Sequence, residues 1–317
     1  MSDVPSHPRV SIVVAAYNRA ELLVQAVQSG LAQAGGDIEV VVSDDCSPDN
    51  SVERLRALGD PRVRINAQPK NLGVWLNWTA ALDMARGEFV VFLGDDDFLG
   101  EGFIEAHLRA FERNPQLSAV FGELEDRPAA GGPSKFYKPS IPVGSPSKAS
   151  ELIEGLLRGD FFFGAAMFRR EIAQTIWHGT RQDGMVADWG LILGLATMKG
   201  ATVTACGGCR YIKRIHPVRL SSRYVEVSDL LWKVCDRFSS RCEDPAHRRL
   251  LMDRSVMERV TLSRHFAALG DMAKCRSVLT SCLQATSPRA AVISQWIQAF
   301  LLPGRLMRTA RAQRGLV

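Results

Sequence analysis

Three consecutive carboxylates, Asp95, Asp96 and Asp97, stand one glycine beyond the apolar run 89–93. Acids this close repel one another unless a positive charge lies among them. Hard divalent cations such as Mg2+ and Mn2+ take oxygen ligands, commonly one or two carboxylates together with substrate phosphates. That chemistry would be a metal site for a diphosphate. The same acids would equally serve as a solvated turn in which Asp96 or Asp97 caps a helix starting near Glu101. The acid run alone leaves both readings standing. Further polar clusters are Tyr17-Asn18-Arg19, Asp44-Asp45, Asp188 within Val186-Ala187-Asp188-Trp189, and His216 flanked by Arg214 and Arg219. Cys206-Gly207-Gly208-Cys209 has the spacing of zinc or redox sites. No second CxxC and no flanking His pair accompanies it, so zinc is not the expectation there.

These residues need elements to hold them. The run 88–93, branched and aromatic and bounded by Gly, reads as a buried strand. Upstream, residues 10–16 form a strand that ends at Tyr17-Asn18-Arg19, and a helical pattern follows through Leu22, Leu23, Ala26, Val27 and Leu31. Residues 38–43 are a second strand, ending in Asp44-Asp45. A helix over 50–58 has Asp49 or Ser51 as N-cap. A short strand at 63–65 leads to Asn71-Leu72-Gly73 and a helix over 74–85. Strand–helix alternation with nearly continuous apolar strands is the pattern of a parallel sheet covered on both faces. Ligands of such sheets bind outside the carboxyl ends of the strands. Tyr17-Asn18-Arg19, Asp44-Asp45 and the acid triplet should therefore converge on one crevice.

In their order and spacing, Val10-Ser11-Ile12-Val13-Val14 with Tyr17-Asn18-Arg19, Asp44-Asp45-Cys46-Ser47-Pro48-Asp49, Asn71-Leu72-Gly73, Gly87-Glu88 and Phe92-Leu93-Gly94-Asp95-Asp96-Asp97 resemble family 2 glycosyltransferases. Those are inverting enzymes of the GT-A fold, and the type matched is that of bacterial surface-polysaccharide synthesis. The resemblance implies an α/β fold: a Rossmann-like, mostly parallel mixed sheet flanked by helices. It implies nucleotide contacts from Ala15, Ala16, Tyr17, Asn18, Arg19, Asp44, Asp45, Asn71, Gly73 and Asp95, with Tyr17 and Asp45 on the base. Asp95 and Asp96 take the place of the DxD motif that holds Mn2+ or Mg2+, joined by His216 from a later loop. Arg214 and Arg219 are the lid candidates for the diphosphate. Asp188 takes the place of the general base, with Ala187 where the family has Glu; from the residues alone it would be a helix N-cap. The stretch Phe161-Phe162-Phe163-Gly164-Ala165-Ala166-Met167-Phe168-Arg169-Arg170 reads as a strand entering a turn, and the family has a similar stretch beside its acceptor. Two departures lie near the base and diphosphate: Ala15-Ala16 for the usual Pro or Thr, and Trp78 for Arg or Asn.

Composition bounds the rest. The 317 residues are 46% hydrophobic, enough for one large domain or a domain with an appendage. Expected boundaries are 1–225 for the transferase domain, divided at 125/126 into nucleotide-sugar and acceptor halves, and 226–317 for a basic helical C-terminal region. The Pro- and Gly-rich stretch 127–150 reads as a long loop with an extended segment at 135–138. Seven cysteines, an odd number, fit reduced thiols. With no run of eighteen apolar residues and no apolar leader, the expectation is a cytoplasmic protein, peripheral at most to the inner face of the membrane. Residues 1–204 carry a net −7 and residues 205–317 a net +12. The stretch 290–314, with Trp296, Phe300, Arg305, Arg308, Arg311 and Arg314, could lie on an anionic membrane surface. The partners implied are a nucleoside-diphosphate sugar, UDP being favoured because a carboxylate suits uracil, and a glycan or lipid-linked acceptor. Nucleic acid is not expected. Two alternatives remain: a non-catalytic nucleotide-sugar-binding subunit, and a sugar-1-phosphate nucleotidyltransferase. The latter is disfavoured because Ala15-Ala16-Tyr17-Asn18-Arg19 lacks the Gly-rich phosphate loop.

Overall fold

The computed structural model describes residues 8–34, 37–216 and 224–285. Its backbone divides into two compact units, Met1–Pro217 and Val218–Val317. In the first, β1 (Val10–Ala16), β2 (Ile38–Asp44) and β4 (Phe89–Phe92) are parallel neighbours, and β3 (Val63–Ala67) extends them beyond β2. The residues of β1, β2 and β4 are mostly branched or aromatic and almost all buried, as a sheet covered on both faces requires, while those of β3 are only partly covered. The helices α1 (Ala20–Leu31), α2 (Ser51–Arg56) and α3 (Val74–Asp83) connect them. Register aligns the strand ends: Ala16 pairs with Asp44 and Val13 with Phe92, so Tyr17, Asp45 and the acid triplet emerge along one edge.

Beyond β4 the sheet changes direction. β5 (Phe98–Leu99), α4 (Phe103–Arg113), β6 (Ala119–Pro128), β7 (Lys135–Tyr137) and β8 (Ser147–Lys148) precede α5 (Leu152–Arg158). Next come β9 (Ala166–Arg169), α6 (Arg170–His178), α7 (Ala187–Ala196) and β10 (Thr202–Ile215). The sheet runs β3-β2-β1-β4-β9-β6-β10-β5, with β7 on β6 and β8 on β10. The loop 127–150 thus carries two short strands, β7 lying where an extended segment is expected. β10 spans 14 residues, Thr202–Ile215. It runs parallel to β6 through a register break between Ala205 and Arg210.

One reading of the acids is corrected. The acids do not cap the next helix: β5 intervenes, and the N-cap of α4 is Gly102, at φ 69. Nor do Arg169 and Arg170 border the edge that carries the acids. β9 is antiparallel to β4, with Phe89 opposite Arg169, which puts both arginines at the far end of the sheet. There Arg169 bonds Glu88 and the Leu117 carbonyl, and Arg170 bonds the Gly87 carbonyl, so they brace strand starts.

The second unit, in its described part, comprises α8 (Tyr224–Ser239), α9 (Pro245–Ala268) and α10 (Met272–Ala285). Asp244 caps α9 through the Ala246 amide, with Pro245 in the first turn, where a missing N–H does no harm. The guanidinium of Arg259 lies over the Trp232 ring and bonds Asp236. The basic stretch 290–314 lies outside the described residues. Among the described residues no helix is long and apolar enough to cross a membrane.

Candidate functional site

The acid triplet is built into a network that spans the first unit. Asp95 accepts from the Tyr17 amide at 3.1 Å and from the Arg19 guanidinium at 2.7 Å, and the same guanidinium nitrogen reaches Asp96 at 3.0 Å. His216, at the end of β10, sets Nε2 2.8 Å from Asp96 Oδ2. Asp97 is turned the other way: the Tyr211 hydroxyl donates to it at 2.8 Å and the Arg214 amide at 2.9 Å. The Tyr211 oxygen in turn accepts the Gly94 amide at 2.9 Å, pinning the turn that aims the acids. Burial raises the Asp95 carboxyl to about 6; Arg19 opposes that rise and the charge of Asp96 adds to it. Tyr211, fully buried beside Asp97, is pushed well above its ordinary value, by burial first.

The second polar cluster shapes the same edge. Asp45 accepts the amides of Leu72 at 2.6 Å and Gly73 at 3.0 Å, and Asn71 donates to the Asp45 carbonyl. Gly73 has φ 86, a conformation that favours glycine, and it begins α3. Asp44 holds the Ser47 amide and hydroxyl, and Ser47 Oγ accepts the Asn18 amide. Asp49 accepts the amides of Ser51 and Ala20, tying the starts of α2 and α1 together, while Asn50 occupies the α2 N-cap. Ala15 and Ala16 close β1 opposite Ser43 and Asp44. Above them the Tyr17 ring is 47% exposed, available to a stacking partner.

Asp188 is the second residue of α7, one place inside the helix, whose N-cap is Val186. Its carboxyl is half-buried and raised to about 6, chiefly by burial, with a smaller push from Asp183 and an opposing pull from the amides of Asp188 and Trp189. The turn Arg181–Val186 that delivers it is pinned to α3, where Trp75 Nε1 donates to Thr180 Oγ1 at 3.0 Å. Trp78 lies in an aromatic cluster with Phe92 and Phe163.

Thus Tyr17, Arg19, Asp95, Asp96 and His216 are brought together, with Asp44, Asp45, Asn18, Asn71 and Gly73 along the neighbouring strand end. Arg214 joins them by its backbone; its guanidinium turns instead to Gln25 and the face of Phe98. Arg219 lies outside the described residues. Sequence reasoning missed Tyr211 and the buried Asp183. A tyrosine inside a strand, 114 residues from its carboxylate partner, carries no local signal.

Comparison with known proteins agrees with this architecture. The family described as Glycosyl transferase family 2 matches residues 11–177. The succinoglycan biosynthesis protein ExoO of Rhizobium meliloti (strain 1021) is 46% identical over 90 residues, 28% of this chain and 26% of that protein. A chondroitin synthase of Pasteurella multocida (strain Pm70) is 36% identical over 116 residues, 36% of this chain and 12% of that protein. The GalNAc(5)-diNAcBac-PP-undecaprenol beta-1,3-glucosyltransferase of Campylobacter jejuni is 29% identical over 171 residues, 53% of each. This chain therefore spans well under two thirds of the length of these relatives. Among solved structures, S. aureus TarS 1-349 in complex with UDP-GlcNAc aligns at a TM-score of 0.68 with 15% identity, covering 97% of this chain and 92% of that one. The Pyrobaculum calidifontis mannosyltransferase PcManGT, in complex with GDP-Man and Mn2+, aligns at 0.55 with 17% identity, covering 99% and 88%. A family match over more than half the chain, on a ten-stranded sheet of the GT-A kind, makes this protein a family 2 glycosyltransferase.

Proposed function

We propose that the protein transfers a sugar, with inversion, from a nucleoside-diphosphate donor to a hydroxyl of a glycan or lipid-linked saccharide. The carrying observation is the junction of Asp95 and Asp96 with Arg19 and His216 at the carboxyl edge of β1 and β4. Among the described residues the Arg19 guanidinium pairs with Asp95 and Asp96, and Asp95 is raised to about 6, an arrangement that a dication would balance. Carboxylates and an imidazole are donors that suit Mn2+ or Mg2+, and Asp96, Asp95 and His216 would hold it. Bound there, the ion would neutralise the departing diphosphate.

The chain's own residues do the rest. The exposed Tyr17 ring stacks on the base, and the Asp45 carboxylate, each oxygen with a second lone pair beyond its amide bond, accepts the imide N–H of uracil. Asn18, Asn71 and Gly73 border that pocket. Asp188 takes the proton of the acceptor hydroxyl as that oxygen bonds the anomeric carbon. The C–O bond to phosphate breaks, its electron pair leaves with the nucleoside diphosphate, and the sugar inverts. The acceptor class follows the undecaprenol-linked substrate in the name of the Campylobacter relative. The net +12 of residues 205–317 favours peripheral contact with an anionic membrane.

Thermal unfolding with UDP, dTDP, GDP and CDP, each with and without Mn2+, tests the reading. A ligand of the folded state stabilises it in proportion to the logarithm of its concentration over Kd, so UDP with Mn2+ should give the largest rise. The reading fails if no nucleoside diphosphate gains from Mn2+ or Mg2+.

A further inference from the structure

The register break in β10 brings two cysteines and a histidine together. Pairing with β6 runs to Ala205 opposite Phe121 and resumes at Arg210 opposite Glu123. Where β6 uses only Gly122, β10 uses Cys206, Gly207, Gly208 and Cys209. The two glycines loop outward, Gly208 at φ 76, and the two cysteines turn back in, 8% and 2% exposed. Their sulfurs are 3.4 Å apart. His107 of α4, fully buried, places Nδ1 3.9 Å from Cys209 Sγ. The imidazole fits there because position 122 is glycine: a Cβ would come within 2.9 Å of His107 Cε1.

Among the described residues, these donors form the one set of three His, Cys, Asp or Glu ligand atoms within 4.8 Å of one another. A tetrahedral zinc ion, with bonds of about 2.3 Å to sulfur and about 2.0 Å to nitrogen, requires S–S and S–N edges of about 3.8 and 3.5 Å. The separations present straddle those values. His107 Nδ1 lies 2.7 Å from the Phe103 carbonyl, while Nε2 is buried with no hydrogen-bond partner.

We propose that Cys206, Cys209 and His107 bind a structural zinc-class cation that closes the β10 bulge. Binding releases both thiol protons to solvent, and the imidazole coordinates through Nδ1 as its Nε2-protonated tautomer, giving up the contact with Phe103. The fourth position goes to water. The ion would fix the phase in which β10 continues. Two residues past Cys209, Tyr211 bonds Asp97 and Gly94, and the same strand leads on to Arg214 and His216.

The test uses the reduced full chain. Zinc content by mass spectrometry should be one equivalent, and Co2+ added to the zinc-stripped protein should give a thiolate-to-metal charge-transfer band. Cys206→Ser or Cys209→Ser should abolish that band, and His107→Gln should weaken Co2+ by about 100-fold or more. Cys46→Ser, at an exposed cysteine, should bind as the wild type does. The proposal is overturned if the folded, reduced wild type takes up neither ion, a result that needs no variant to fold. It is equally overturned if the protein as purified holds no zinc and thiol titration finds Cys206 and Cys209 joined as a disulfide. Neither outcome bears on nucleotide binding.

Discussion

Replacing Asp188 by Asn separates a catalytic base from a helix-start residue by the sign of the stability change. The carboxyl stands at about 6 rather than an ordinary 3.8, through burial first and the charge of Asp183 after it. A carboxyl raised in this way stabilises the fold fully below its unfolded value, and that contribution is lost as pH rises through about 6. At pH 8 the ionised group therefore costs stability, up to about 3 kcal/mol at 1.36 kcal/mol per unit. The side chain is half-buried rather than sealed, and solvent screening reduces this to about 1–2 kcal/mol. Asn keeps the shape and an acceptor for the α7 amides without the charge. Urea unfolding followed by Trp fluorescence should thus find Asp188→Asn more stable than wild type at pH 8 by about 1–2 kcal/mol, with the gap shrinking toward pH 4.5. Transfer, read as release of nucleoside diphosphate, should fall about 10²–10⁴-fold. Wild-type turnover should rise through pH 6 and stand near a tenth of its plateau at pH 5. A variant less stable than wild type at pH 8 by about 1 kcal/mol would mark Asp188 as a helix-start anchor and refute the assignment.

Asp96→Asn should leave the protein folded and remove the Mn2+-dependent gain in UDP affinity by calorimetry; an undiminished gain would take Asp96 out of the proposed ligand set. Tyr211→Phe removes a charge-assisted bond to Asp97 and the acceptor for the Gly94 amide, a loss of about 2–4 kcal/mol in urea unfolding. A loss below about 0.5 kcal/mol would show that the turn carrying the acids holds without it.

What could be read in advance followed from periodicity and order. The apolar strands 10–16, 38–43 and 88–93 had to be buried, and register then placed Tyr17, Asp45 and Asp95 along one edge. The helix-cap reading of Asp96 and Asp97 failed because a two-residue strand and a left-handed Gly102 separate them from α4. That Arg169 and Arg170 fall at the far end of the sheet was not legible, because the direction of β9 against β4 is not written in its own residues. Arg214 joins Asp97 by its backbone amide while its side chain answers to Gln25, 189 positions away, a pairing with no local signal. Tyr211 and His107 are legible only once the sheet brings distant strands and a helix together. For the same reason the CxxC looked solitary in the sequence, its nearest imidazole being 102 residues earlier.

Asp45 and Asp49 have a wider consequence. In dinucleotide-binding sheets the amides opening a helix cradle the pyrophosphate. Here the Ala20 amide that opens α1 is taken by Asp49, and the Leu72 and Gly73 amides ahead of α3 by Asp45. Both helix starts are filled by resident anions. A diphosphate arriving at this edge meets carboxylates where other folds offer bare N–H groups. Under the proposed function its reception would rest on cationic side chains and an imported counter-ion, and the supply of that ion would then bear on turnover.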